Sequence, residues 1–251
     1  MLLKDGVGWS GDYATWQLAQ QQCVGYDAAN ILEKVKDAIL KVKNGEAVYE
    51  RDSVLFDEIR YSHPLLVTLL WKALKNNSKL NVIDFGGSLG SSYFQNKLYL
   101  DDIKELHWRI VEQPAFVESG IKHIQDKRIS FHNSLKDAQD QQPANLLIIS
   151  CAIQYMEKPY ELIEKILQFN ISHIIIDNTP FNNEYRDRLT VQKVPPSIYT
   201  ASYPCWFLNI EKVIEAFGKK YSLLSEHFND DFIELDGNPI PYQGFVLELK
   251  K

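Results

Sequence analysis

Short apolar runs that alternate with helical stretches fill the sequence from Asn81 onward, and they restrict the fold more than any other feature. The runs at 144–150 and 172–177 are almost continuously apolar, as expected for parallel strands covered on both faces. Between them, residues 158–170 carry apolar side chains at helical spacing, which predicts a crossover helix. A strand–helix–strand series of this kind predicts an α/β fold with a doubly wound sheet.

The whole pattern predicts a seven-stranded sheet preceded by helices. The predicted strands are 81–85, 107–113, 128–133, 144–150, 172–177, 221–228 and 244–250. The segment between the last two is rich in turn-forming residues, which predicts an antiparallel pair at the end of the sheet. Helices are predicted at 28–45 and 63–74. We therefore expect a helical extension or lid over residues 1–80 and a sheet domain over 81–251.

Composition excludes several classes of function. The 251 residues have a formal net charge of -6, which disfavours nucleic acid and anionic membranes as partners. The 3 cysteines have no metal-ligand spacing, so no metal site is predicted, and scattered thiols suit a reducing compartment. The first eleven residues lack the apolar core of a signal peptide, and no apolar run approaches the roughly 20 residues of a membrane span. We expect a soluble, cytoplasmic protein.

The first predicted strand runs directly into a glycine-rich turn, VIDFGGSLGSSY, at residues 82–93. Such a turn lets the backbone approach a ligand closely, beside the free N–H groups of the next helix. The dinucleotide fingerprint G-x-G-x-x-G fits poorly, because its later glycines would fall on serines. The pattern D-x-G-x-G-x-G fits better, with Asp84, Gly86 and Gly90 in place and Ser88 at the middle glycine. This pattern is the first motif of S-adenosylmethionine-dependent methyltransferases.

Glu112 follows the second strand of the sheet, where a carboxylate can accept hydrogen bonds from both ribose hydroxyls. Nicotinamide-binding sheets also carry such an acid, so Glu112 supports the prediction of the sheet more than the choice of cofactor. The predicted antiparallel pair at the end of the sheet favours a methyltransferase over a nicotinamide-binding protein. At the next two strand ends, Asn133 or Ser134 would contact adenine, and the backbone after Ser150 would pass under the cofactor. The predicted cofactor site comprises Asp84, Gly86, Gly87, Ser88, Gly90, Glu112, Gln113, Asn133, Ser134, Ser150 and Cys151.

Several stretches together resemble a bacterial family of methyltransferases encoded with surface-polysaccharide genes. They are YERDSVLFDE, DFGGSLGSSYFQ, VEQPAFVESG, DNTPF and VPPSIYTASYPCWF. The resemblance extends from about Trp9 to the C-terminus. It implies a Rossmann-like methyltransferase sheet, S-adenosyl-L-methionine as the cofactor, and a glycan, sugar or nucleotide-sugar acceptor.

The acceptor site is predicted at the carboxyl end of the strand at 172–177. Asp177 is the candidate general base, with a helix-capping or structural role as the alternative. His63 and His132 are weaker candidates. The stretch YERDSVLFDE is either a salt-bridged surface turn or a wall of this site.

Residues 186–207 have no clear helical period and predict a long functional loop beside the acceptor. Arg188 would contact an anionic group, because its planar fork suits a phosphate or carboxylate. Tyrosine and tryptophan side chains would offer flat faces to a sugar ring. The predicted acceptor residues are Asn178, Arg188, Gln192, Tyr199, Tyr203 and Trp206.

These residues predict methyl transfer from S-adenosylmethionine to an oxygen of a sugar or sugar-derived acceptor. Two alternatives stay open. One is a nicotinamide-dependent sugar oxidoreductase or epimerase, and the other is a catalytically silent binding protein that keeps the sheet.

Overall fold

The computed structural model describes residues 7–24 and 28–251, so the expectation about the first residues falls mostly outside the described part. The helices are α1 (Trp16–Gln20), α2 (Ala28–Lys43), α3 (His63–Lys75), α4 (Ser91–Leu100), α5 (Pro114–His123), α6 (Leu135–Gln141), α7 (Pro159–Leu167) and α8 (Ile210–Gly218). The strands are β1 (Gly8–Ser10), β2 (Tyr49–Arg51), β3 (Val54–Phe56), β4 (Lys79–Phe85), β5 (Glu105–Val111), β6 (Ile129–His132), β7 (Leu146–Ser150), β8 (His173–Thr179), β9 (Arg188–Lys193), β10 (Ser202–Phe207), β11 (Tyr221–Leu235) and β12 (Asn238–Leu249).

The central sheet has seven strands in the order β11-β12-β8-β7-β4-β5-β6. The five strands from β8 to β6 are parallel, and β12 is inserted antiparallel between β8 and β11. The expected α/β class with a mostly parallel sheet is confirmed. The chain leaves β4 toward β5 on one side and later returns to β7 on the other. This reversal makes a crevice at the carboxyl ends of β4 and β7, where open α/β sheets bind ligands.

Apolar residues on both faces of the parallel strands explain why their sequences read as continuous runs. Val82 and Ile148 are fully buried in a cluster with residues of α2 and α3, whereas Ile83 and Ile149 are buried with residues of α7 and α8. Burying apolar area on both faces drives the sheet and its two helical layers together. Within the described ranges, no helix is long and apolar enough to cross a bilayer.

The segment before the sheet is not purely helical. The two predicted helices are present as α2 and α3, and Gly45 follows α2 with a φ of 77° and donates its N–H to the Val42 carbonyl. However, β1 joins a three-stranded antiparallel sheet with β9 and β10, and β2 and β3 form a hairpin. The prediction of a helical extension was therefore incomplete. The partner of β1 is distant in sequence, and β2 and β3 have only three residues each, so neither pairing is evident from the sequence pattern.

Two segments predicted as irregular are strands. Residues 186–207 contain the hairpin β9–β10, whose strands are joined by the irregular stretch 194–201, and β11 and β12 form one long hairpin that includes most of 229–243. The turn of the second hairpin is Asp236–Gly237, with φ values of 51° and 78°. Positive φ at both positions is typical of a two-residue turn between strands. Polar residues beside the Asp-Gly pair concealed the strand alternation in the sequence.

Candidate functional site

The glycine loop between β4 and α4 has left-handed backbone conformations at alternate residues. The φ values are 72° at Gly86, 54° at Ser88 and 101° at Gly90. A Cβ atom at Gly86 would lie 2.6 Å from Ala152 Cβ. Gly86 therefore allows the loop to lie directly against the segment after β7, at the crevice between β4 and β7. Ser88, at the position where the motif has glycine, adopts the required conformation with a side chain present.

Asp84 supports this loop from beneath. Its side chain is 1% exposed, and its Oδ2 accepts a hydrogen bond of 3.1 Å from Trp108 Nε1. A Cβ atom at Gly87 would lie 2.5 Å from Asp84 Cγ, so a glycine is needed directly above the carboxyl group. Burial raises the pKa of Asp84 to about 7, against the opposing effect of the Trp108 hydrogen bond. Direct contact between Asp84 and a cofactor stays a prediction.

Glu112 follows β5 on the other side of the loop. Its Oε1 accepts from the Ser88 N–H at 3.2 Å, and its Oε2 accepts from the N–H of the exposed Gln113 at 2.8 Å. Burial raises the pKa of Glu112, although both backbone donors act in the opposite direction. Each carboxylate oxygen can accept a second hydrogen bond. Glu112 can therefore bind two neighbouring hydroxyl groups while it holds the loop.

The remaining predicted cofactor residues lie at the ends of the next strands. The Ser134 Oγ accepts the Asp137 N–H at 3.1 Å and so caps α6, and Asn133 beside it is exposed. Cys151 follows β7 with a φ of 52° and donates its N–H to the Asp177 carbonyl at 3.0 Å. The structure thus brings the predicted set to one edge of the sheet.

Asp177 forms a buried pair with a histidine that the sequence did not indicate. Its Oδ1 lies 2.9 Å from His227 Nε2, and its Oδ2 accepts from Asn178 Nδ2 at 3.0 Å. Asp177 is 0% exposed, and His227 Nδ1 is buried without a hydrogen-bond partner among the described residues. By contrast, His63 is exposed, and His132 Nε2 is bonded to Ser130 Oγ at 3.0 Å.

A glycine makes the contact between His227 and Asp177 possible. The two residues lie on β11 and β8, with β12 between them, and Gly244 of β12 is opposite His227. A Cβ atom at position 244 would lie 2.5 Å from His227 Nε2 and 2.2 Å from the Ile176 carbonyl oxygen. The ladder between β12 and β8 is irregular at this point. Gly244 therefore leaves the gap through which the imidazole crosses the strand.

Tyrosine side chains line the same edge. The Tyr155 hydroxyl donates to Gln192 Oε1 at 2.8 Å, and the rings of Tyr155 and Tyr203 meet edge-to-face with centroids 5.3 Å apart. Gln192 and Tyr203 are directly opposite each other in β9–β10, and Tyr199 interacts with Tyr203. The predicted Gln192, Tyr199 and Tyr203 are thus grouped, together with Tyr155, which the sequence did not indicate.

Trp206 does not belong to this group. It packs with Leu189 and Ala19 on the opposite face of β10 from Tyr203, because side chains alternate along a strand. Trp206 therefore lies apart from the tyrosines, and its contact with a sugar stays a prediction.

Arg188 already has partners within the chain. Its Nη1 lies 2.6 Å from Asp236 Oδ2, and its Nε donates to the Gly11 carbonyl at 3.0 Å. Any contact between Arg188 and an acceptor would compete with this ion pair, so its predicted role has no support from its surroundings.

The β2–β3 hairpin covers the crevice from the other side. Glu50 is 1% exposed and accepts hydrogen bonds from Ser91 Oγ, at the start of α4, and from the Ser53 N–H at 3.3 Å. Burial raises the pKa of Glu50 to about 7. Arg51 interacts electrostatically with Cys151 and Asp177. Of the two readings of YERDSVLFDE, a wall of the site agrees with this placement.

Among the side chains that the structure describes, residues 7–24, 31–229 and 231–251, no group of three or more His, Cys, Asp or Glu is placed to hold an ion.

Comparisons with known proteins found similar solved structures only. Neither a protein-family model nor a curated protein matches the sequence. An S-adenosylmethionine-dependent methyltransferase from Clostridium acetobutylicum is 9% identical with a TM-score of 0.49, over 90% of this chain and 100% of that one. The 1,6-didemethyltoxoflavin-N1-methyltransferase of Burkholderia thailandensis, with bound 1,6-didemethyltoxoflavin and S-adenosylhomocysteine, is 10% identical with a TM-score of 0.45, over 91% of each chain.

A third similar structure is the N-terminal domain of EvdMO1 in the presence of S-adenosylhomocysteine and D-fucose. It is 10% identical with a TM-score of 0.46, over 91% of this chain and 100% of that one. With identities this low, what each neighbour binds or methylates is a property of that neighbour.

Proposed function

We propose that this protein is an S-adenosylmethionine-dependent methyltransferase that acts on an oxygen atom of a sugar or sugar-derived acceptor. One observation carries the choice of cofactor: the buried Glu50 carboxylate lies at the start of α4, bonded to Ser91. A dinucleotide would need this helix N-terminus for its pyrophosphate. Glu50 already occupies this helix N-terminus, and its ionised form would repel a phosphate. S-adenosylmethionine has no phosphate, and its ribose hydroxyls suit Glu112.

The Asp177–His227 pair supports methylation of an oxygen. An ionised Asp177 can only accept a hydrogen bond, so a neutral His227 carries its proton on Nε2 and has its lone pair on Nδ1. In the proposed step, the acceptor oxygen bonds to the methyl carbon as the carbon–sulfur bond breaks, and the hydroxyl proton passes to Nδ1. The products are a methyl ether, S-adenosylhomocysteine and a protonated imidazole. Because Nδ1 is buried, the step requires that the binding acceptor displace the side chains that cover it and that the proton leave after the products do. Asp177 orients His227 and stabilises its charge, in place of the base role expected from the sequence.

The acceptor class is inferred from the side chains beside this pair. Tyr155, Tyr199 and Tyr203 offer aromatic faces and hydroxyls, which suit the apolar and polar surfaces of a sugar ring. A role in the biosynthesis of surface glycans, on a free or nucleotide-linked sugar in the cytoplasm, follows from the family resemblance.

Transfer of a labelled methyl group tests this function. The purified protein would be incubated with S-adenosylmethionine labelled in its methyl group and a panel of sugars, nucleotide sugars and oligosaccharides. We expect label in a base-stable ether of at least one sugar, and about 100-fold less in the His227→Gln variant with cofactor affinity retained. Label confined to a nitrogen-linked or non-sugar product would contradict the acceptor assignment, and unchanged turnover in His227→Gln would exclude it as the base.

A further inference from the structure

Arg51 is a half-buried cation with no ion-pair partner in the described part of the chain. Its neighbour Glu50 is bonded to Ser91 and Ser53, and among the side chains that the structure describes (residues 7–24, 31–229 and 231–251) no carboxylate oxygen is within ion-pair distance of the Arg51 guanidinium. Tyr49 lies beside it but is uncharged at neutral pH. Partly desolvating a charge is costly unless an opposite charge compensates it. Asp52 and Asp177 stabilise this cation electrostatically without forming an ion pair, so the guanidinium can still donate hydrogen bonds to the carboxylate of a ligand.

The hairpin places this cation above the crevice between β4 and β7. One side of the hairpin is attached through Glu50 to the first residue of α4, directly after the glycine loop. From the other side, Arg51 interacts with Cys151 after β7 and with Asp177 on β8. The glycine loop itself lies against Ala152 in the segment that follows β7. Arg51 thus lies on the β7 side of the loop, whereas Glu112 lies on the β5 side.

These two positions orient a ligand of the proposed class. With the ribose at Glu112 and adenine toward β6, the amino-acid end of the cofactor extends across the loop toward β7, where Arg51 is the nearby cation. A planar guanidinium can donate two parallel hydrogen bonds to a carboxylate. Resting on the function proposed above, we infer that Arg51 binds the α-carboxylate of S-adenosylmethionine, so that the β2–β3 hairpin encloses the methionine end of the cofactor.

Two ligands that differ only at that end test the inference by calorimetry. S-adenosylhomocysteine contains the carboxylate, and 5′-methylthioadenosine has the same adenosine and thioether without the amino-acid group. We expect Arg51→Gln to bind S-adenosylhomocysteine about 10- to 100-fold more weakly and 5′-methylthioadenosine as well as the unaltered protein does. Arg51→Lys keeps the charge but lacks the two parallel donors of the guanidinium, so its affinity for S-adenosylhomocysteine should fall less. The matched control is Arg60→Gln, an exposed arginine after the hairpin, which should change neither affinity.

Two results would overturn the inference. Unchanged affinity for S-adenosylhomocysteine in Arg51→Gln would show that the guanidinium does not contact the carboxylate. An equal loss for both ligands would show that Arg51 supports the site only structurally. Failure of the unaltered protein to bind either ligand would contradict the proposed cofactor itself, which separates that failure from this one.

Discussion

The buried Asp84 carboxyl predicts a pH-dependent loss of stability that one isosteric substitution should remove. Its pKa rises from an ordinary value of 3.8 to about 7 because the group is desolvated beneath the glycine loop. The folded protein therefore binds this proton more tightly than the unfolded chain does. The associated stabilisation is complete below pH 3.8 and is lost as the pH rises to about 7. At about 1.4 kcal/mol per pH unit, the loss is about 4 kcal/mol in full and about 2 kcal/mol between pH 5 and pH 7.

Asp84→Asn removes the titration and keeps an oxygen that can accept the Trp108 hydrogen bond. Relative to the unaltered protein, its free energy of unfolding should therefore rise by about 2 kcal/mol between pH 5 and pH 7. Urea denaturation at several pH values, followed by tryptophan fluorescence, measures this difference. The control is Asp102→Asn, an exposed aspartate that should show no such trend. A difference that is constant with pH, or that falls as the pH rises, would refute a protonated Asp84 beneath the loop.

Three further predictions concern the site and the segment before the sheet. Glu112→Gln should weaken S-adenosylhomocysteine binding by about 10- to 100-fold, because a neutral amide replaces a carboxylate that can accept hydrogen bonds from both ribose hydroxyls. Equal affinity of the two proteins in calorimetry would contradict the ribose role. Gly244→Ala should lower turnover by about 100-fold or more, because its Cβ would lie 2.5 Å from His227 Nε2. The control Gly218→Ala places its Cβ in open space and should leave turnover unchanged. Normal turnover in Gly244→Ala would show that the Asp177–His227 pair is not needed. A chain shortened to residues 79–251 should be insoluble or inactive, because it exposes the sheet face that α2 and α3 cover; a soluble, active product would make that segment an appendage.

Features set by local sequence were predictable. The parallel strands could be identified because both of their faces are buried, which makes each run apolar in itself. The glycine loop could be placed because its conformation is local, with positive φ required at Gly86 and Gly90. The position of Glu112 beside the glycine loop could be predicted because the carboxyl ends of parallel strands meet at one edge whatever the register.

Features set by long-range pairing were not predictable. His227 meets Asp177, 50 residues away in sequence, only because β12 is inserted between their strands with Gly244 at the crossing. A one-residue change of register would turn His227 to the other face of the sheet. The separation of Trp206 from Tyr203 could not be predicted either, because the strand β10 was not predicted and its alternation was unknown. The ion pair of Arg188 could not be predicted, because its partner Asp236 belongs to a hairpin turn that the sequence pattern concealed.

The most direct test of the proposed function is a calorimetric titration of the unaltered protein with S-adenosylhomocysteine and, separately, with NADH. The proposal assigns Glu112 to the ribose, and Glu50 occupies the start of α4, where a pyrophosphate would have to bind. We predict saturable binding of S-adenosylhomocysteine at one site per chain and no binding of NADH. Saturable binding of NADH with none of S-adenosylhomocysteine would contradict the proposed cofactor and favour the nicotinamide-dependent alternative.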